Sequence, residues 1–324
     1  MILAMMLTLP PAPMKVVFTL LACLLPLLLS GCGDSGYEKR SGVWHYDDQP
    51  IRRKLAEPFK PIKGAFARDA EVGYYRGSPI AESDGPTFEP LDDHYARDKL
   101  NAYFCDTYRK GQEVYTHKYS RVILLEGVAP GSFRVLKDRY ARDDTKLFFE
   151  GGHVPVKDIN TFEILSSDFQ RDRVTGYYMR RPIPDSDGST FAVIDDGYSK
   201  DKAGIYYSSH DRDDGAMRYK TLRIAGASPG SFVAKGAGYA VDAQQAYHSG
   251  KVLTQDVASF KVLPSLYART SAVIYFDGKP VVGADAATFA VLEQRDGRAD
   301  AKDARVSYQR GERVVPDGSK PAGG

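Results

Sequence analysis

The sequence has little cysteine, which excludes a fold held together by several disulfide bonds. Only three cysteines occur among 324 residues, at Cys23, Cys32 and Cys105. Cys23 lies in an apolar N-terminal segment and Cys32 lies at the end of that segment, so Cys105 is left without a partner for a structural disulfide. We expect Cys105, beside Tyr103 and Phe104, to be a small buried hydrophobic side chain rather than a reactive thiol.

An excess of charge of either sign is also missing. Lys and Arg number 44 and Asp and Glu number 42, which gives a formal net charge of +2 at pH 7. Nucleic-acid-binding proteins usually carry a concentrated basic face, so we expect no nucleic-acid partner. The histidines are scattered singly, without a spacing such as H-E-x-x-H that places two ligands on one metal. We therefore expect no metal and no other cofactor. The six histidines are His45, His94, His117, His153, His210 and His248.

Long apolar runs are absent except for one near the N-terminus. It extends from Val16 to Leu29, which is shorter than the about 20 residues that a membrane-spanning helix needs. Lys15 precedes the run and small residues follow it, which is the order of a secretory signal. We predict a signal peptide over residues 1–31, with Met14 as an alternative start.

The residues that end this segment predict a lipid anchor. Leu29-Ser30-Gly31-Cys32 resembles the lipobox of bacterial lipoproteins, in which the cysteine is lipidated and becomes the N-terminus after cleavage. Several acyl chains hold a protein firmly at a membrane, whereas one chain binds only marginally. Gly33, rather than an aspartate, follows the cysteine, which favours sorting to the outer membrane. We expect an exported lipoprotein anchored to the cell envelope through lipidation of Cys32.

The rest of the chain is organised by a repeat. A Ser or Thr followed by Phe recurs, and twice a long interval is followed by two short ones of about 28 to 29 residues, which suggests a duplicated block of three units. Seven positions after the Phe an aromatic residue usually follows, three positions later an aspartate, and five positions later another aromatic. A further copy lacks the opening Ser/Thr-Phe and starts at its next aromatic position, Phe66. Residues 44–51 look like the tail of another copy. The recurring phenylalanines are Phe88, Phe133, Phe162, Phe191, Phe232, Phe260 and Phe289.

Two stretches of this repeat carry a resemblance to a known family. Residues 98–104, DKLNAYF, and residues 201–207, DKAGIYY, resemble the motif of the DKNYY family of bacterial repeat proteins. The resemblance covers about residues 44–314, and it implies a repeat architecture and an exported or lipid-anchored location. It implies no reaction, because the family's function is uncharacterised. Thr270 departs from the pattern, since it stands at the aspartate position.

The pattern within one unit predicts short strands joined by tight turns. Asp277-Gly278 between two β-branched or aromatic stretches is a hairpin signal, and an aspartate can accept hydrogen bonds from the amides of a following turn. Adjacent aromatics such as Tyr74 and Tyr75 point to opposite faces of a strand, so both faces of each sheet need cover. We predict an all-β fold of tandem repeats, with three or four short antiparallel strands per unit, stacked as an open β-solenoid-like array. The alternative is a propeller-like closed ring.

These observations divide the chain into four parts. A signal peptide covers residues 1–31, and a lipidated flexible tether, polar and glycine-containing, covers residues 32–43. The DKNYY-type β-repeat domain covers residues 44–314. A disordered tail covers residues 315–324.

Two motifs that could carry chemistry are more simply explained as turns. Residues 226–230, GASPG, fit the nucleophile pattern of α/β-hydrolases, but Pro229 lacks the N–H that an oxyanion hole needs after the serine. The equivalent stretch of the other long unit has Ala129 in place of Ser228. The acidic clusters at residues 185–188 and 211–215 lack the spacing of a calcium loop. We expect no catalytic residue, and keep a structural calcium ion as an alternative.

The two long units contain insertions, at about residues 108–125 and 208–225, and insertions in repeat proteins often gather on one face. We expect a ligand surface there. Its candidate residues are Tyr115, His117 and Tyr119 in the first insertion and His210, Arg212 and Tyr219 in the second.

The function that this sequence predicts is a non-catalytic scaffold or binding module, facing the periplasm or the outer membrane, with an envelope protein or a glycan as its partner. One alternative is an envelope hydrolase that acts on glycan or peptide. A second alternative is an immunity-type or inhibitor-type lipoprotein. The ligand, the orientation and the oligomeric state stay open.

Overall fold

A computed structural model describes residues 35–111, 118–195, 197–296 and 298–314. The regular structure of these residues consists of short β-strands and 3-10 turns, which confirms the predicted all-β class. The 3-10 turns cover Gly85–Thr87, Pro130–Ser132 and Ile159–Thr161. None of the described residues belongs to a helix long and apolar enough to cross a bilayer.

The strands form nine antiparallel sheets, numbered here from sheet 1 to sheet 9, and each sheet consists of consecutive strands. Sheet 1 contains β1 (Tyr37–Arg40), β2 (Val43–Tyr46) and β3 (Gln49–Pro50); sheet 2 contains β4 (Lys60–Lys63), β5 (Phe66–Arg68), β6 (Gly73–Tyr75) and β7 (Ser78–Pro79); sheet 3 contains β8 (Glu89–Pro90), β9 (Tyr95–Arg97), β10 (Ala102–Tyr108) and β11 (Tyr119–Leu124). Sheet 4 contains β12 (Arg134–Val135), β13 (Tyr140–Arg142), β14 (Leu147–Phe149) and β15 (Gly152–Val154); sheet 5 contains β16 (Glu163–Ile164), β17 (Phe169–Arg171), β18 (Gly176–Tyr178) and β19 (Arg181–Pro182).

The second half of the chain continues the same pattern. Sheet 6 contains β20 (Ala192–Val193), β21 (Tyr198–Lys200), β22 (Ile205–Asp213) and β23 (Ala216–Arg223); sheet 7 contains β24 (Val233–Gly236), β25 (Tyr239–Val241), β26 (Ala246–His248) and β27 (Lys251–Thr254). Sheet 8 contains β28 (Lys261–Val262), β29 (Tyr267–Arg269), β30 (Ile274–Phe276) and β31 (Lys279–Pro280); sheet 9 contains β32 (Ala290–Asp296), β33 (Ala299–Lys302), β34 (Ser307–Gln309) and β35 (Glu312–Arg313). The predicted three or four strands per unit are confirmed.

Sheets 3 and 6 carry the two insertions as long hairpins. In sheet 3, β10 pairs with β11 from Tyr103↔Leu124 to Tyr108↔Tyr119, and we call this hairpin the first arm. In sheet 6, β22 pairs with β23 from Tyr206↔Arg223 to Asp213↔Ala216, and we call it the second arm.

Each sheet packs on the next because its two faces carry different residues of the repeat. In sheet 4, Tyr140 lies opposite Phe149, and Tyr140 packs forwards in a buried cluster with Ile164 of sheet 5. The neighbouring pair, Ala141 and Phe148, packs backwards against sheet 3. All eight buried hydrophobic clusters of the described residues join consecutive sheets in this way. The repeated aromatic residues therefore form the interfaces between units.

The N-terminal boundary differs from the sequence prediction. A flexible tether was expected over residues 32–43, but Tyr37–Arg40 forms β1. Tyr37 is buried, and its ring packs edge-on against Tyr46 and Phe59 at centroid distances of 4.8 and 5.8 Å. One buried aromatic thus fixes a segment whose other residues are polar. The predicted signal peptide, Cys32 and the tail at residues 315–324 lie outside the described residues.

Candidate functional site

The repeated aspartate is saturated by hydrogen bonds within the protein. The Oδ1 atom of Asp172 accepts the N–H groups of Val174 at 2.7 Å and Thr175 at 2.9 Å. Its Oδ2 atom accepts the N–H of Asp158 at 2.9 Å and the hydroxyl of Tyr177 at 2.5 Å. The equivalent buried carboxylates make the same turn contacts; they are Asp69, Asp98, Asp143, Asp201, Asp242 and Asp303. This confirms that the aspartate closes a turn, and it leaves little carboxylate capacity for a substrate.

These contacts shift the ionisation of the carboxylates. Burial alone would raise the pKa of Asp172, but the hydrogen bonds from Tyr177 and from backbone amides outweigh it and lower the pKa. The same balance lowers the pKa of Asp69, Asp242 and Asp303, and in Asp143 backbone amides and the hydroxyl of Thr145 outweigh burial. In the partner tyrosine Tyr177, burial and the hydrogen bond to Asp172 raise the pKa above its ordinary value. At neutral pH Asp172 therefore stays ionised as the acceptor and Tyr177 stays protonated as the donor.

The Ser or Thr before each recurrent Phe also has a structural role. The Oγ1 atom of Thr190 accepts the N–H of Lys202, the residue after Asp201, at 3.0 Å. Thr87, Thr161, Ser231, Ser259 and Thr288 make the equivalent bond. In these six units the hydroxyl thus ties the start of the unit to its turn, whereas the hydroxyl of Ser132 donates to the carbonyl of Ala129.

A second recurrent hydroxyl links neighbouring sheets. Tyr239 of sheet 7 donates to the carbonyl of Leu266 at 2.9 Å and accepts the N–H of Gly278 at 3.1 Å, both in sheet 8 or its turns. Tyr37, Tyr95 and Tyr198 bridge to the following sheet in the same manner. Tyr267 accepts the N–H of Gly311 but donates to the carboxylate of Asp300 instead of a carbonyl. In sheets 2 and 5 the equivalent residues are Phe66 and Phe169, which have no hydroxyl. The sheets that follow them, sheets 3 and 6, carry an arm in place of the tight turn whose glycine N–H the tyrosine hydroxyl accepts elsewhere.

Arginine side chains make a third link between units. Arg97 of sheet 3 donates to the carbonyls of Pro130 at 3.0 Å and Phe133 at 3.1 Å, in the segment that leads into sheet 4. Arg68, Arg142 and Arg171 reach the equivalent segment of the following unit. In these four units the arginine at the end of the second strand therefore joins its unit to the next.

The structure places three of the candidate ligand residues together. His210 and Tyr219 are directly paired across the second arm. Arg212, two residues after His210 along β22, shares their face because side chains alternate along a strand. Arg212 and His210 are exposed, and Tyr219 is half-buried.

The base of this face contacts sheet 5. The hydroxyl of Tyr178 lies 2.9 Å from Nδ1 of His210, and the guanidinium of Arg181 lies 4.9 Å from the ring centre of Tyr219. His210 and Tyr219 therefore help to seat the second arm on sheet 5, and Arg212 lies beyond this contact.

The first arm is separated from the second by two intervening sheets. Tyr119 begins β11 and stacks on Tyr108 with ring centroids 5.4 Å apart. Tyr115 and His117 lie outside the described residues.

The hydrolase-like motif is a turn. The N–H of Ser228 donates to Oδ2 of Asp242 at 3.1 Å, and the N–H of Ala129 donates to Asp143 in the same way at 2.7 Å. An alanine performs the task equally well, so this contact does not need the serine hydroxyl.

The acidic clusters are paired with cations. Asp187 contacts Lys202 at 2.7 Å, Asp211 contacts Lys220 at 2.8 Å, and Asp213 contacts Arg218 at 2.7 Å. Across the described residues, no group of three or more His, Cys, Asp or Glu has a geometry that could hold a metal ion.

Cys105 is fully buried in the cluster between sheets 2 and 3, and burial raises the pKa of its thiol above the ordinary value. This position matches the small buried side chain that the sequence predicted.

A groove that was not predicted from the sequence lies at the base of the second arm. It has a volume of about 550 Å³ and lies where sheets 5, 6 and 7 meet. Asp168, Asp195, Tyr207 and His210 are among its lining residues. A comparison of aligned repeat positions could have indicated it, because glycines stand there in this half of the chain and large side chains in the other.

The fold and these recurrent contacts define an all-β repeat protein. The residues of its sequence motif make hydrogen bonds that hold the fold together. The model of the DKNYY family matches residues 104–181 and 169–311, and the chain therefore belongs to the DKNYY family. A search of curated proteins and a search of solved structures each gave no match.

Proposed function

We propose that this protein is a lipid-anchored, non-catalytic binding module of the bacterial cell envelope that presents its arms to a partner. The observation that carries the proposal is the contrast between the repeat and the second arm. The repeated polar groups are saturated internally, whereas the residues of β22 beyond Ser209 are exposed. Exposed segments on a rigid scaffold are common sites of recognition.

We further propose that the sheets form an open array rather than a closed ring. The forward face of sheet 9 carries Lys302, Ser307 and Gln309, although the equivalent face of sheet 4 carries Leu147 and Phe149. Asp300, at the position of Tyr140, is buried and accepts the hydroxyl of Tyr267 in sheet 8. The backward face of sheet 1 carries Glu38, Arg40, Val43 and His45. Closing a ring would press these two faces together and remove charged groups from water, which is costly. Polar outer faces are typical of the terminal units of open arrays.

The anchor is tested by Cys32→Ala in the bacterium. We expect the wild-type protein in the membrane fraction and the variant in the soluble exported fraction, because the variant lacks the sulfur that receives the lipid. Cys105→Ala is the matched control and should stay with the membrane. Membrane retention of an unlipidated Cys32→Ala product would contradict the proposal.

The binding role is tested by affinity capture from detergent-solubilised envelopes, followed by identification of the retained protein or glycan. We expect Arg212→Glu in the second arm to reduce capture at least severalfold. Lys261→Glu reverses another exposed charge, outside both arms, and should leave capture unchanged. Equal capture by both variants would contradict a role of the second arm.

A further inference from the structure

The groove beside the second arm has a counterpart in the first half of the chain, and there it is filled. His94 and Gly197 are equivalent, because each precedes the recurrent tyrosine of its unit, Tyr95 or Tyr198. By the same rule Arg139 is equivalent to Gly238, and the third residues after Tyr103 and Tyr206 are Asp106 and Ser209. Glu150 is likewise equivalent to Ser249, so four side chains of the first half become two glycines and two serines in the second.

Arg139 occupies this place in the first half as a held cation. Its guanidinium lies 2.7 Å from Oε1 of Glu150 and 3.7 Å from Oδ2 of Asp106. Its second terminal nitrogen lies 3.2 Å from Nε2 of His94. In the first half, an arginine side chain of the protein itself therefore fills the space that corresponds to the groove.

In the second half Ser209 and Ser249 replace the two carboxylates that contact Arg139, but two other carboxylates line the groove. Asp195 is equivalent to Asp92, and its Oδ1 atom accepts the N–H groups of Gly197 and Tyr198 at 2.9 and 2.7 Å. Asp168 contributes a second carboxylate to the groove, and its charge, after burial, helps to raise the pKa of Tyr178 to about 12. Among the described residues, those that line the groove include neither Lys nor Arg.

The aromatic wall suits the same kind of ligand. Tyr207 is half-buried and lines the groove beside Tyr198, with ring centroids 4.9 Å apart. A guanidinium can stack on a tyrosine ring and donate two parallel hydrogen bonds to a carboxylate. A neutral group would lack the positive charge that strengthens both interactions, and an anionic group would be repelled by the carboxylates.

We propose that this groove binds an arginine side chain of a partner polypeptide, in the position that Arg139 occupies in the first half. The inference rests on the proposed binding function and narrows it to one ligand chemistry. It also gives the second arm a purpose, because His210 at the base of the arm forms one wall of the groove.

The test is titration of the full-length protein with a fluorescent peptide, Gly-Arg-Gly, and with its citrulline analogue, which is uncharged but nearly the same shape. We expect saturable binding of the arginine peptide and at least tenfold weaker binding of the citrulline peptide. Asp168→Asn should weaken binding of the arginine peptide about tenfold. Glu163→Gln, which removes an exposed charge from the same sheet, should not change the affinity for the arginine peptide.

A second variant places the ligand within the chain. Gly238→Arg restores the side chain of the first half, and Arg139 itself adopts a φ of 64° at the equivalent position. The added Cβ would lie 3.1 Å from Oγ of Ser249 and 3.2 Å from Nε2 of His248, so these two side chains must shift by a few tenths of an ångström. We expect this variant to lose peptide binding while it keeps its thermal unfolding transition. Equal binding of the two peptides, or no effect of Asp168→Asn, would overturn the inference.

The two proposals fail separately. If Arg212→Glu loses partner capture but the groove does not bind the arginine peptide, only the arginine site is overturned. Capture that is insensitive to both Arg212→Glu and Asp168→Asn would remove the binding role as well.

Discussion

At the scale of single residues, hydroxyl and carboxylate groups connect units that hydrophobic packing brings together. Tyr239 bridges a carbonyl and an amide of the next sheet, and both of those backbone groups lose a partner if the hydroxyl is removed. A buried backbone group without a partner costs about 1–3 kcal/mol. The hydroxyl of Tyr140, in contrast, has no hydrogen-bond partner among the described residues, although Arg180 approaches it.

Tyr239→Phe should therefore lower the free energy of unfolding by about 1–3 kcal/mol. Tyr140→Phe is the matched control and should change stability little. Urea titration followed by circular dichroism measures both. A larger loss in the control than in Tyr239→Phe would show that the bridge does not stabilise the stack.

The carboxylates make stability depend on pH in a defined direction. The pKa of Asp172 in the folded state is lowered from the unfolded value of about 3.9. Its contribution is present above about pH 4 and is lost as the pH falls through the lowered pKa, because protonation then favours the unfolded chain. The same holds for Asp69, Asp143, Asp242 and Asp303, so the acid loss is shared along the array.

Asp172→Asn should be less stable than the wild type at pH 6, and the difference should shrink between pH 4 and pH 2. Asp144→Asn, which removes a carboxylate that is 70% exposed, should follow the wild-type curve. Melting temperatures across this pH range test the point. A constant difference at all pH values would mean that ionisation of Asp172 does not stabilise the fold.

At the scale of secondary-structure elements, the second arm is an extension of a hairpin that other sheets complete with two residues. Tyr207 pairs with Leu222, and the equivalent pair in sheet 8, Phe276 and Lys279, flanks the turn Asp277-Gly278. The outer residues of the arm are exposed, so they add little to the core. The turn itself needs glycine, because Gly278 has a φ of +74°.

Replacement of residues 208–221 by Asp-Gly should therefore give a folded protein with a cooperative unfolding transition. The melting temperature should fall by a few degrees, since the contacts of His210 and Tyr219 with Tyr178 are lost. Partner capture should be abolished. An unfolded product would show that the arm belongs to the core of sheet 6.

At the scale of the whole molecule, stability depends on each sheet covering its neighbour. Removal of sheet 9 would expose Tyr267, Ile274 and Val281, which now form one buried cluster with it. Exposed aromatic faces promote association. Sheet 9 avoids this at its own end by placing Asp300 and Gln309 at the aromatic positions.

A chain that ends at Gly283 should therefore self-associate, as measured by light scattering after size-exclusion chromatography. Adding Tyr267→Asp and Phe276→Gln, the residues that sheet 9 has at these positions, should restore a monomer. A monomeric truncated chain without these changes would contradict the role of sheet 9 as a cap.

The sequence by itself determined the period, the all-β class, the turn role of the aspartates and the location of the arms, because each follows from neighbouring residues. The alternation of apolar residues and the Asp-Gly turns, for example, act over a few positions. The bridge from Tyr239 to Gly278 was not predictable, because it joins residues in different units.

Only the tertiary structure decided which residues share a space. The groove depends on Asp168, Gly197 and Gly238, which three different sheets bring together. The strand at residues 37–40 likewise exists because Tyr37 finds a pocket against Phe59. Local patterns specify local hydrogen bonds, whereas packing between distant segments depends on the shape that all of the units build together.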